Sequence, residues 1–79
     1  MTEYEIALEI DARGSFCPGP MMELIKMIRQ AEVGELLALL SSDEGTRNDV
    51  PAWIKKAKHE LVEIINLEDH DRYIVKKLH

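Results

Sequence analysis

The chain has 79 residues and carries 10 Lys+Arg against 15 Asp+Glu, a formal net charge of −5. This length predicts one domain over residues 1–79, and the acidic balance argues against nucleic acid or an anionic membrane as partner. One cysteine excludes an internal disulfide, a Cys-x-x-Cys pair and a multi-cysteine zinc site. With no secretory or membrane-spanning pattern, we expect a cytoplasmic protein.

The first segments predict a strand and then a helix. Residues 4–10 alternate apolar and polar side chains, which indicates a half-buried strand with one face toward water. The stretch from Asp11 to Ser15 contains Gly14 and ends this strand. Met21, Leu24, Ile25 and Ile28 then recur at the spacing of an amphipathic helix.

The middle of the chain predicts a buried strand and a second helix. The short apolar run within residues 35–42 favours a central strand buried on both faces, although its helix propensity is good. Residues 41–49 are polar and predict a loop. Asp49, Val50 and Pro51 indicate the next helix start, with Pro51 in the first turn.

The last third predicts two strands, over residues 61–67 and 72–77, joined by a turn at residues 69–71. The predicted order is therefore β-α-β-α-β-β. A β-α-β crossover makes the first two strands parallel. We expect an α+β fold, a two-layer sandwich with a four-stranded mixed sheet and both helices on one face.

Cys17 directly precedes Pro18, and proline is favoured at the first position of a helix. A thiolate at or near a helix N-cap is stabilised by unpaired amides and by the helix dipole. Pro18 and Pro20 have no N–H, so Gly19 and Met21 are the expected donors. Disulfide exchange needs a resolving cysteine, whereas carrying a sulfane sulfur needs one thiol. An inert buried cysteine is the alternative.

Three further residues are candidates for partner docking. Phe16 and Met22 flank the motif and suit an apolar collar around the thiol, with burial in the core as the alternative. Asp43 is the third candidate. The three histidines lack metal-ligand spacing, so the sequence predicts no metal and no cofactor.

At these residues the chain resembles the TusA/SirA-like sulfur-carrier family. The family's Asp-x-x-Gly-x-x-Cys-Pro-x-Pro start is matched by residues 11–20, and Gly34-Glu35, Asp43, Asp49-Val50-Pro51, His59-Glu60-Leu61 and residues 73–77 also match. The family's fold is a small β-α-β-α-β-β sandwich. Ser15, Glu44 and Lys58 depart from the usual family residues.

The resemblance implies a persulfide on Cys17, taken from a cysteine desulfurase or another persulfide donor and passed to a downstream sulfur-relay protein. The carrier then acts as a protein co-substrate, with tRNA 2-thiouridine formation as the foremost pathway. Sulfur oxidation, molybdenum-cofactor synthesis and selenium metabolism stay open. No direct binding of nucleic acid is expected. The alternative is a regulatory or RNA-binding module, suggested by Lys55, Lys56 and Lys58, in which Cys17 is structural or redox-sensing.

Overall fold

A computed structural model of the chain describes residues 5–14 and 19–79. The described elements follow the predicted order β-α-β-α-β-β. They are β1 (Ile6–Asp11), α1 (Gly19–Gln30), β2 (Leu36–Ser41), α2 (Glu44–Ala57), β3 (Glu60–Asn66) and β4 (Asp71–Lys76). The predicted two-layer sandwich is confirmed.

The four strands form one mixed sheet in the order β1-β2-β4-β3. β1 runs parallel to β2, while β4 is antiparallel to both β2 and β3. β1 alternates half-buried and exposed residues, as its period-two sequence predicts. In β2, Leu37, Ala38 and Leu39 are fully buried, which agrees with the prediction of a central strand covered on both faces.

The core lies between the sheet and the two helices. Leu24 and Met27 of α1 and Ile54 of α2 are buried there, and the helical spacing of these apolar side chains produces one buried face on each helix. The sheet contributes Leu37, Leu39, Tyr73 and Val75 to the same cluster. Trp53 and Met21 are partly buried and pack against it.

The prediction for the start of the second helix was wrong. Residues 44–49 were expected in a loop, but α2 begins at Glu44 and Pro51 lies inside the helix. Asp43 has an extended backbone at the N-cap, and the Thr46 hydroxyl donates to Asp43 Oδ2 over 3.3 Å. Asp43 O accepts from Thr46 N over 3.2 Å, and Glu44 in the first turn suits the positive end of the helix dipole, so the helix starts here despite the polar composition of this segment.

Candidate functional site

The candidate site lies at the end of the sheet where β1 and β2 terminate. Because these strands are parallel, the helices that follow them both begin at this end. The two connecting loops are joined by hydrogen bonds. Gly14 N in the first loop donates to Ser42 Oγ in the second over 3.1 Å, and Ala12 N, just after β1, donates to Leu40 O of β2 over 2.8 Å. Cys17, Phe16 and Pro18 belong to residues 15–18, which lie outside the described residues.

Three of the four residues predicted to support Cys17, namely Gly19, Pro20 and Met21, lie in the first turn of α1. Gly19 is the first residue of this helix, Pro20 is buried, and Met21 is partly buried against the core. Amides in the first turn of a helix have no partner within the helix, and they carry the positive end of its dipole. Since Pro20 has no N–H, the first-turn amides come from Gly19, Met21 and Met22.

The loop before the cysteine segment holds an ion pair. Asp11 accepts hydrogen bonds from Arg13 N (3.1 Å), Arg13 Nε (2.8 Å) and Arg13 Nη2 (2.7 Å). Hydrogen bonding to Arg13 lowers the pKa of Asp11 to about 2, so this carboxylate is ionised at neutral pH. Arg13 is the cation nearest to Cys17 on its N-terminal side, and its charge is already matched by Asp11.

Asp43 is part of the turn that begins α2. Its backbone N–H donates to Ser41 Oγ over 3.2 Å, and Ser41 Oγ donates to Thr46 Oγ1 over 3.1 Å. Ser41 and Thr46 are fully buried. These contacts give Asp43 a structural role in starting the helix, beside any contact with a partner.

Met22 differs from the other apolar residues of α1, which are buried or half-buried, because 63% of its surface is exposed. It opens a shallow groove along the outer face of α1, lined by Met22, Glu23, Ile25, Lys26, Arg29 and Gln30. The sequence placed Met22 as a collar or a core residue, and the structure places it on the surface of the helix that follows Cys17.

Sequence reasoning missed the polar contacts that join the loops and α2 to the sheet. Two of these contacts are Asp11–Arg13 and Gly14–Ser42, described above. In the third, Arg47 Nε donates to Asp71 Oδ2 over 2.6 Å. The signals available were the Asp-x-Arg spacing after a strand and the Ser-Ser-Asp-x-x-Thr sequence, which is typical of a helix start. Arg47–Asp71 joins residues 24 positions apart and has no local signal.

Two further properties of the described residues concern metal binding and membrane spanning. No group of three or more His, Cys, Asp or Glu side chains is placed to hold a metal ion within residues 5–14 and 19–79. In the same part of the chain, neither helix is long and apolar enough to cross a bilayer.

This architecture defines a small two-layer α/β sandwich domain. A solved structure of a SirA-like protein from Desulfitobacterium hafniense superposes with a TM-score of 0.79, covering 91% of this chain and 99% of that one at 18% identity. That likeness concerns the fold. The family of the chain is shown by its sequence relatives.

The family model described as Sulfurtransferase TusA matches residues 8–77. A protein of Archaeoglobus fulgidus assigned as a sulfur carrier is 59% identical over 69 residues, 87% of this chain and 94% of that protein. The sulfur carrier protein TusA of Pseudomonas syringae pv. syringae is 43% identical over 54 residues, 68% of this chain and 64% of that protein. The chain belongs to the TusA family of sulfur carriers.

Proposed function

We propose that Cys17 carries sulfane sulfur as a persulfide between a donor protein and an acceptor protein. The observation that carries this proposal is that the chain's single cysteine stands two residues before the first described turn of α1. Membership of the TusA family gives the type of cargo, and the helix start supplies amides that favour a sulfur anion.

The proposed transfer requires no external oxidant or reductant. The Cys17 thiolate attacks the terminal sulfur of the donor's persulfide, forming a new S–S bond while the donor's S–S bond breaks. The donor sulfur leaves as a thiolate and takes up a proton. An acceptor thiolate then attacks the terminal sulfur on Cys17, and the Cys17 thiolate is regenerated.

Activation of Cys17 is attributed mainly to backbone amides. The nearest cation on the N-terminal side, Arg13, is held by three hydrogen bonds to Asp11. The first turn of α1 contains no acidic residue that would oppose a thiolate. Gly19, Met21 and Met22 are therefore the proposed source of stabilisation, with Pro18 and Pro20 restricting the backbone around them.

The partner-docking surface is proposed to combine Phe16, Met22 and Asp43 around the thiol. Its best-supported part is the groove of α1, where exposed Met22 lies beside Lys26 and Arg29. Methionine and arginine are both enriched at protein interfaces. A partner that presents apolar and acidic side chains would complement this part of the surface.

The pathway and location complete the proposal. We take a cysteine desulfurase as the donor, a sulfur-relay protein as the acceptor and tRNA 2-thiouridine as the leading end product, in the cytoplasm and without direct contact between the chain and tRNA. Residues 1–79 act as one domain in this scheme. The single cysteine, which cannot form an internal disulfide, and the acidic net charge of −5 support these choices.

The test is intact mass after incubation with a cysteine desulfurase and free cysteine. We expect the wild-type chain to gain the mass of one sulfur atom, which a thiol reductant removes, and Cys17→Ser to gain none. Ser15→Cys/Cys17→Ser, which moves the thiol two residues away from α1, is the matched control and should load more slowly. A wild-type chain without the adduct, or Cys17→Ser with it, contradicts the proposal.

The second candidate is an RNA-binding module. Lys55, Lys56 and Lys58 are exposed together at the C-terminal end of α2, which is the end of that helix away from the candidate site. Binding to RNA that weakens steeply with salt and is unchanged in Cys17→Ser would favour this candidate over the carrier.

A further inference from the structure

The residues that follow β4 connect the ends of both helices. We call residues 77–79 the C-terminal strap. Lys77 N donates to Glu35 O over 3.1 Å, and Gly34 N donates to Lys77 O over 2.7 Å. The Lys77 ammonium donates to Ala31 O, just after α1, over 2.8 Å. The strap is therefore held to the α1–β2 connection at its first residue.

Two histidines hold the other end of the strap. The rings of His59 and His79 stack with centroids 4.5 Å apart and planes inclined by 13°. Leu78 N donates to His59 Nδ1 over 3.1 Å, and His79 Nε2 lies 2.9 Å from Ala57 O, at the last residue of α2. The strap thus contacts the C-terminal end of α2 through imidazole side chains.

These hydrogen bonds fix the protonation of both rings. Because the Leu78 amide is a donor, His59 Nδ1 must be without a proton to accept from it. Because Ala57 O is an acceptor, His79 Nε2 must carry a proton. When His59 is protonated, its Nδ1–H and the Leu78 N–H are both donors and face each other. A single proton on His59 therefore removes the hydrogen bond that holds Leu78.

The surroundings of His59 oppose its positive charge. The titratable and charged groups that face it are His79 in the ring stack and Lys77 on the strap, while its sequence neighbours are Lys58 and Glu60. Burial, followed by the charges of His79 and Lys77, lowers the pKa of His59 from 6.5. Trp53 lies on α2 with its ring centroid 6.2 Å from that of His59.

We propose that the C-terminal strap is a proton-sensitive latch on the end of α2, closed when His59 is neutral and open when His59 is protonated. The sign follows from linkage. A group whose pKa is lower in the closed state stabilises that state above its ordinary pKa, and this stabilisation is lost as pH falls through the lowered value. The latch therefore opens as the solution becomes acidic, below the ordinary histidine value of 6.5.

The experiment follows the ring protons of His59 and the hydrogen exchange of the Leu78 amide by NMR, as a function of pH. We expect His59 to titrate below 6.5. Leu78 protection, corrected for intrinsic exchange, should fall about tenfold for each unit by which the folded pKa of His59 is lowered. Trp53 is the single tryptophan of the chain, so its fluorescence should change with the same midpoint.

Three variants make this test specific. His59→Asn keeps an acceptor without a titrating ring and should make Leu78 protection independent of pH. His79→Phe keeps an aromatic ring but removes its charge, so it should raise the pKa of His59. His70→Asn, in the β3–β4 turn beside Asp69, is the control. It should change neither the pH dependence of Leu78 protection nor the pKa of His59.

Two outcomes overturn the latch. One is a His59 midpoint at or above 6.5 in the folded chain. The other is Leu78 protection that is equal at about pH 5 and about pH 7.5, a range that spans histidine titration. Both measurements are independent of sulfur loading, so failure of the latch and failure of the carrier proposal are distinguishable.

Discussion

Tyr73 is a fully buried residue at the centre of the sheet, and it is also polar. It pairs with Leu39 on one side and Ile64 on the other. Its hydroxyl has no hydrogen-bond partner among the described residues. Burial, followed by the nearby Asp71 carboxylate, raises the pKa of Tyr73 to about 12, because a phenolate would lose its hydration there.

This raised pKa predicts a loss of stability in alkaline solution. The unfolded tyrosine ionises near 10.0 and the folded one near 12, so the unfolded chain releases its proton first and stability falls as pH rises between these values. The variant Tyr4→Phe leaves Tyr73 as the one tyrosine that can ionise. Its phenolate absorbance should appear only at a pH above these two values or together with unfolding. The same variant in denaturant should titrate near 10. A midpoint near 10 with the fold intact would contradict the assignment.

At the scale of elements, α2 is the helix whose two ends were hardest to predict. It begins five residues before Asp49, at Glu44, because Asp43 forms a polar turn with Ser41 and Thr46 that the spacing of apolar residues does not reveal. It ends at Ala57, where Lys58 takes a left-handed conformation with φ 63° and ψ 37°. The Lys58 amide bonds Lys55 O, and the following His59 amide bonds Ile54 O. Glycine is the residue best suited to this position.

The left-handed conformation of Lys58 makes a stabilising substitution available. Lys58→Gly removes the steric penalty of a side chain at positive φ, which is about 1–2 kcal/mol, and loses part of that gain to the greater freedom of glycine in the unfolded chain. We expect a net increase of about 0.5–1 kcal/mol in the free energy of unfolding, measured by denaturant titration.

Lys56→Gly is the matched control for this substitution. It removes the same charge two residues earlier, inside the last turn of α2, and should lower the free energy of unfolding by up to about 1 kcal/mol. Equal effects of the two substitutions would mean that loss of charge, and not backbone conformation, decides the result.

At the scale of the whole molecule, the sequence predicts the element order and the class of chemistry. The alternation in β1 and the helical spacing of Leu24 and Ile28 are local patterns, and local patterns survive in the fold. The placement of β4 between β2 and β3 cannot be predicted from a local pattern, because it depends on how whole strands pair with one another. The contact of His59 with His79 likewise joins residues 20 positions apart and had no signal in either segment.

The candidate site also has a part that the sequence predicts and a part that only the structure reveals. The Cys-Pro-Gly-Pro motif makes Cys17 the proposed sulfur-carrying residue, because carrying a sulfane sulfur needs only one thiol and a helix start favours its anion. The hydrogen bond from Gly14 to Ser42 and the role of Asp43 in starting α2 depend on two loops meeting at one end of the sheet. Such meetings follow from the parallel pairing of β1 and β2, which the sequence predicted without its register.

The small size of the molecule makes its fold sensitive to single changes in the core. A domain of 79 residues has a free energy of unfolding of about 4–12 kcal/mol. Leu24 is fully buried in the core, while Met22 stands two residues earlier on the same helix with 63% of its surface exposed. Substitution of Leu24 therefore tests the core, while substitution of Met22 tests the proposed docking surface.

Alanine at each position provides both tests. Leu24→Ala should lower the free energy of unfolding by about 2–5 kcal/mol, seen as a lower denaturant midpoint with an unchanged slope, and the chain that stays folded should accept sulfur at the wild-type rate. Met22→Ala should change stability by less than about 0.5 kcal/mol but slow sulfur loading about fivefold or more, since an interface residue that matters contributes above about 1 kcal/mol. Unchanged loading in Met22→Ala would remove the α1 groove from the docking surface while leaving Cys17 as the carrier.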